Sequence, residues 1–261
     1  MGSLRWLLGV LVLVGAPVLA PTAATAAEPP LVAAASDLRF ALDEVAARFT
    51  QDTGEAVRIV YGSSGNFRQQ IAAGAPFELF LSADEAMIAA LAKEGHTVDT
   101  GVLYGRGRIA LVLPPASPLQ PDATLADVKA AVADGRLKKF AIANPEHAPY
   151  GRAAQQALAA AGAWEAVRPR LVLGENVAQA AQFALAGSAQ GGIVALSLAR
   201  VPQVLGSGAY VVIPEGMHAP LNQRMALTRR AQATARAFYG YLQQPAARAI
   251  LARYGFTLPG Q

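Results

Sequence analysis

LVAAASDLRFALDEVAARF, residues 31–49, contains the unit from which this chain is built. Leu31 to Ala35 is an unbroken apolar run of strand length. Leu38, Leu42, Val45 and Phe49 follow at spacings of four, three and four, which mark one face of a helix. Between them lies a turn of small and polar residues, Ala35-Ser36-Asp37. An apolar strand feeding an amphipathic helix through a short turn is half of a parallel βαβ crossover.

The unit recurs along the chain. Val57 to Tyr61 passes through Gly62-Ser63-Ser64-Gly65 into Phe67 and Ile71 and stops at Gly74. Phe77 to Leu81 passes through Ser82-Ala83-Asp84 into Met87, Ile88 and Leu91, with Gly95 as the stop. Ile109 to Leu113 ends at Pro114-Pro115. Phe140 to Ala143 meets the Asn144-Pro145 turn, before a helix expected over Arg152 to Ala161. Leu171 to Leu173 precedes Gly174-Glu175-Asn176 and a helix from Val177. Ile193 to Leu196, Tyr210 to Ile213 and Met225 to Leu227 complete the strand candidates, and two helices close the chain, around Ala235 to Leu242 and Ala246 to Tyr254. Alternating strands and helices predict an α/β fold with parallel sheets. No G-x-G-x-x-G follows the first strand, so a dinucleotide fold is not supported.

Composition narrows the class. At 53% hydrophobic and 15% charged residues, disorder is excluded. The net charge of +4 comes from scattered cations without a basic run, so nucleic acid is not an expected partner. The absence of cysteine excludes disulfides, a thiolate nucleophile and a lipidated N-terminal cysteine. Arg5, the apolar stretch from Leu7 to Ala20 and Ala24-Thr25-Ala26 have the layout of a cleavable secretory signal over residues 1–26. Export to the periplasm is therefore expected. The mature length suits two compact lobes better than one.

In open α/β sheets ligands sit beyond the carboxyl ends of strands, where helix N-termini converge. Four turns qualify: Ala35 to Asp37, Gly62 to Gly65, His147 to Gly151, and Gly174 to Val177. None carries lysine or arginine at its tip. Neutral hydroxyls and first-turn N–H groups suit a dehydrated anion. Ser36 and Ser64 taken singly are as well explained as helix caps, so spacing alone does not reach a ligand.

A resemblance does. Ala33-Ala34-Ala35-Ser36, Gly62-Ser63-Ser64, Ile71 to Pro76 (IAAGAP) and Leu79 to Asp84 (LFLSAD) resemble the periplasmic molybdate-binding family in order and spacing. So do Asn144 to Gly151 (NPEHAPYG), Gly162-Ala163-Trp164, Glu175-Asn176-Val177, Gly192-Ile193-Val194 and Arg253 to Thr257. The resemblance implies a type II periplasmic-binding-protein fold, in which each of two lobes is a mixed, mostly parallel sheet flanked by helices. It implies a molybdate or tungstate oxyanion in the cleft between lobes, no cofactor and no catalysis. Expected partners are the permease and ATPase of an ABC importer, with the protein itself a monomer. The expected division is residues 28–105 and 220–261 for the first lobe and 106–219 for the second, with crossings near Gly105 to Arg108 and Pro214 to Asn222. Carried over by position, Ser36 and Ser64 are hydroxyl ligands, Val177 donates its backbone N–H, and Tyr150 offers either its amide or its phenol. Ala195 stands where many members have a ligand tyrosine, and Tyr150 is expected to replace that phenol.

Asp37 fits least well. A carboxylate about 6 Å from a dianion, at an effective dielectric of about 20, is repelled by about 5.5 kcal/mol. It is therefore expected to turn from the cleft and cap the first helix, leaving its own N–H toward the anion. His147 reads as a turn residue, Trp164 and Phe183 as core, and Arg68 as a solvated side chain. Rival readings are a binder of sulfate, thiosulfate or another oxyanion, a sensor without transport, and an exported serine hydrolase. The last lacks G-x-S-x-G, since Gly62-Ser63-Ser64-Gly65 has the wrong spacing.

Overall fold

The computed structural model describes residues 28–260; the candidate signal segment lies outside the described residues. The strands, in chain order, are β1 (Leu31–Ala35), β2 (Arg58–Gly62), β3 (Leu79–Ser82), β4 (Val102–Gly107), β5 (Ile109–Leu113), β6 (Phe140–Ala143), β7 (Leu171–Gly174), β8 (Gly192–Ala195), β9 (Ala209–Val212) and β10 (Leu221–Leu227). The helices are α1 (Arg39–Thr53), α2 (Ser64–Ala72), α3 (Glu85–Lys93), α4 (Ala126–Ala133), α5 (Pro149–Ala160), α6 (Trp164–Val167), α7 (Val177–Leu185), α8 (Leu196–Ala199), α9 (Pro202–Leu205), α10 (Ala233–Tyr241) and α11 (Pro245–Arg253).

These strands form two five-stranded sheets, ordered β2-β1-β3-β10-β4 and β7-β6-β8-β5-β9. In the first, β1 pairs in parallel with β2 and β3, and β10 runs antiparallel between β3 and β4. In the second, β6 pairs in parallel with β7 and β8, and β5 runs antiparallel between β8 and β9. Each sheet is thus mixed, with four strands pointing one way. The chain leaves the first sheet at Arg108, between β4 and β5, and returns over residues 213–220, between β9 and β10. Arg108 and Glu215, one on each crossing, pair at 3.0 Å.

Strands buried on both faces explain the continuous apolar runs, as in β1, β3, β5, β6 and β8. Helix α1 lays Leu42, Val45 and Phe49 on the first sheet. Phe49 meets Phe238 and Tyr241 of α10 edge-on at 5.1 and 5.3 Å, which ties the last helices to the lobe of the first. The second core collects α5 and α7 around β5, β6 and β8, and reaches across to Ala35 and Ala83 of the first sheet's loops. The two lobes are therefore in contact along their strand ends.

Most longer elements lie where periodicity places them, but β4, α4 and the short helices α6, α8 and α9 do not follow from it, and Leu196, expected to end a strand, begins α8. Strand β4 (VLYGRG) breaks its apolar pattern with two glycines and an arginine. Helix α4 begins after Leu125, which holds a left-handed φ of 62° with no capping side chain. Trp164 and Phe183 are only half-buried against the second core.

Candidate functional site

Four chain turns converge between the lobes and line one small cavity: Ala35 to Asp37, Gly62 to Ser64, Ala148 to Tyr150, and Val177, closed by Ala83. Each is a strand end turning into a helix. The first two turns belong to the first sheet and the other two to the second, so the cavity exists only while the lobes meet.

The donors follow from how each helix begins. Helix α7 has Asn176 as N-cap, whose side chain accepts from the N–H of Ala178 and Gln179, both at 3.1 Å. That cap takes the second and third amides and leaves the first, Val177 N–H, for the cavity. Helix α5 has Ala148 as N-cap without a side-chain bond and Pro149 at its first position. Proline contributes no N–H, so the Tyr150 amide is the first donor of that helix. Helix α2 has Ser63 as N-cap, yet its hydroxyl does not cap. It donates across the cleft to the His147 carbonyl at 2.6 Å, where Gly65 N–H also donates at 3.0 Å.

The two predicted hydroxyl ligands are held alike. Ser36 Oγ accepts from Ala178 N–H at 3.2 Å, and Ser64 Oγ accepts from Ala83 N–H at 3.0 Å. A hydroxyl that already accepts has its proton to give. Both serines are buried and line the cavity, so those protons are on offer there rather than to bulk water. No lysine or arginine lines the cavity. The result is a cradle of neutral donors, an arrangement suited to a small anion through charge-assisted hydrogen bonds. Among the described residues no cluster of histidine, aspartate and glutamate could hold a metal ion.

Two expectations are corrected. Asp37 does not cap a helix: it lies inside a 3-10 turn, Ser36–Leu38, that delays α1 by three residues, and neither that turn nor α1 has a side-chain cap. Its Oδ2 instead accepts from the Tyr150 hydroxyl at 2.9 Å and from Gln223 Nε2 at 2.8 Å. Two side-chain donors replace the single backbone one a cap would have used. For the same reason the Tyr150 phenol is not a free ligand in place of the tyrosine missing at Ala195. Its proton goes to Asp37, which leaves the backbone N–H as the donor Tyr150 has to offer. Burial raises the Asp37 carboxyl to about 6 against the lowering effect of Gln223 and Tyr150.

Several participants carried no sequence signal. Gln223 lies on β10, and Tyr104, on the irregular β4, donates to Gln223 Oε1 at 2.7 Å. Gly107 packs so closely that a Cβ there would meet the Tyr150 hydroxyl at 2.2 Å. Ser197 donates to the Asp37 carbonyl at 2.8 Å. Arg152 pairs with Asp84 across the cleft at 2.5 Å. His147, read as a turn residue, is also a contact between lobes, with Nδ1 3.0 Å from Ser63 Oγ. Arg68 is away from the site, paired with Glu94.

Residues 30–257 match the family described as bacterial extracellular solute-binding protein. Relatives titled molybdate-binding protein ModA are 38% identical in Azotobacter vinelandii, covering 87% of this chain and 89% of that one, and 36% identical in Rhodobacter capsulatus, covering 87% of each. The chain belongs to the ModA family of solute-binding proteins. The solved periplasmic molybdate-binding protein of Azotobacter vinelandii superposes with a TM-score of 0.79, at 30% identity over 88% of this chain and 99% of its own. Members of this family are binding proteins, not enzymes, and need no cofactor; this ModA relative has the two-lobed fold of type II periplasmic binding proteins.

Proposed function

We propose that this chain binds molybdate or tungstate between two lobes, residues 28–105 with 220–261 and residues 106–219. The hydroxyls of Ser36 and Ser64 and the backbone N–H groups of Tyr150 and Val177 hold the oxyanion, and the Asp37 amide faces the same space. The protein works as a monomer in the periplasm, after loss of residues 1–26, and delivers the anion to the permease and ATPase of an ABC importer. The observation that carries this reading is the cradle of neutral donors drawn from both lobes. Hydrogen bonds to an ion are about twice as strong as neutral ones, so a dianion gains from this cradle what a neutral solute would not. Closure follows because only the closed state presents both sets of donors at once.

Sulfate and thiosulfate share the charge and shape of molybdate, and kinship with molybdate-binding relatives over most of the chain favours the larger anion. Thermal unfolding with each anion tests this. At ligand 100 times its dissociation constant, molybdate and tungstate should each add about 2.7 kcal/mol of stability. A response to sulfate with none to molybdate or tungstate refutes the assignment.

A further inference from the structure

Among the described residues Asp37 is the one acidic residue lining the cradle; it is 1% exposed, the amides of Asp37 and Leu38 lie near its carboxyl, and its Oδ1 has no well-formed hydrogen bond. Its surroundings offer no cation. The titratable groups that face it are the phenols of Tyr150 from α5 and Tyr104 from β4. Helices α7 and α8, packed against its turn, carry no titratable side chain. On α1, Asp43 is engaged by Tyr61 and Glu44 by Arg253, while Arg39 acts on Tyr61. Arg152 of α5 is held by Asp84, Arg224 of β10 by Glu85, and Arg106 of β4 lies by Asn222 and Glu215. A dianion and an ionised carboxylate would thus share one dry site with nothing between them but neutral dipoles.

We propose that Asp37 takes up one proton from solvent, on its unpartnered Oδ1, when the oxyanion binds, so that the site holds the anion and a proton together. This rests on the oxyanion reading of the cleft. Two magnitudes decide it. At a separation of about 6 Å and an effective dielectric of about 20, leaving the carboxylate ionised forfeits about four decades of affinity. With the carboxyl raised to about 6 by burial, protonating it at pH 8 costs only about two decades. Protonation is the cheaper course. It leaves Oδ2 accepting from Tyr150 and Gln223 and puts a neutral O–H in place of the buried charge on Oδ1.

Calorimetry of molybdate binding in two buffers of unlike protonation heat tests this on the unaltered protein. Close to one proton should be taken up per molybdate at pH 7.5, and affinity should fall about tenfold per pH unit between pH 7 and 8.5. Asp37→Asn should bind molybdate with no proton uptake and no such slope. Binding of molybdate by the parent with a flat profile and no proton uptake overturns the proposal while leaving the oxyanion reading intact. Uptake that persists in Asp37→Asn assigns the proton elsewhere and also overturns it. No binding of molybdate or tungstate at all refutes the oxyanion reading and this one with it.

Discussion

Ser63 and Ser64 are adjacent and both buried, yet their hydroxyls do different work, and alanine at each should show it. Ser64 Oγ accepts from the buried Ala83 N–H and has its proton for the cavity. Ser63 Oγ gives its proton to the His147 carbonyl. Ser64→Ala loses a hydrogen bond to a charged ligand, worth about 1.5–3 kcal/mol, or about 10- to 150-fold in affinity. Because it also strands the Ala83 N–H, the free protein should lose about 1–3 kcal/mol, at roughly 2–4 °C of melting temperature for each. Ser63→Ala loses the bond to the His147 carbonyl and the contact with the His147 ring, both formed only on closure, each worth about 0.5–1.5 kcal/mol, or about 2- to 12-fold, and it should leave the free protein's melting temperature unchanged. Molybdate titrations and melting curves of the two variants give four numbers. A free Ser64→Ala protein that melts like the parent, or a free Ser63→Ala protein destabilised as much as Ser64→Ala, would refute the assignment of donors.

Three further outcomes follow from the same geometry. Val177→Pro should keep the fold, because proline is favoured at a first helical position and Asn176 is already extended, with φ −152° and ψ 173°. It removes one amide donor, so molybdate should bind about 10- to 150-fold more weakly in titration; an unchanged affinity excludes that amide as a ligand. In Gly65→Ala the new Cβ would stand 2.5 Å from the His147 carbonyl across the cleft. The lobes should fold with an unaltered melting temperature, but the stabilisation by molybdate, about 2.7 kcal/mol at 100 times the parent's dissociation constant, should be mostly lost; full retention would show that the lobes need not meet there. Asp37→Asn should change the pH dependence of stability. A carboxyl raised on folding from 3.8 to about 6 binds protons more tightly folded than unfolded. Its burial therefore costs nothing below pH 3.8, and the cost grows up to about pH 6 and is constant above. The variant should be more stable than the parent by about 3 kcal/mol at pH 8, a gain that vanishes near pH 4; denaturant unfolding at both pH values checks it, and an equal difference at both contradicts it.

The fold was legible where burial writes itself in composition. Strands covered on both faces are continuous apolar runs, and helices between them keep one apolar stripe, so β1, β5 and β6 can be read to the residue. Strand β4 could not be read, because its glycines are there to admit neighbours: Gly107 makes room for Tyr150 and Gln223. In the site, the four converging turns were readable from their small residues and their place after strands. The wiring within them was not. Gln223 lies 186 residues from Asp37, and no local pattern announces a hydrogen bond between them. A separation of 113 residues hid the partner of Tyr150: a phenol near an anion site suggests a ligand until the carboxylate that claims its proton is seen beside it.

The bond from Ala178 N–H to Ser36 Oγ joins groups from opposite lobes. A serine hydroxyl on its own swings among three staggered positions. This one is fixed by an amide that departs when the cleft opens, so opening does more than uncover the anion. It returns the hydroxyl to its rotamers at the moment its grip is needed, and affinity falls by more than the contacts broken. Release then requires no competing ligand, only a parting of the lobes, with the proton taken up on binding returned to solvent.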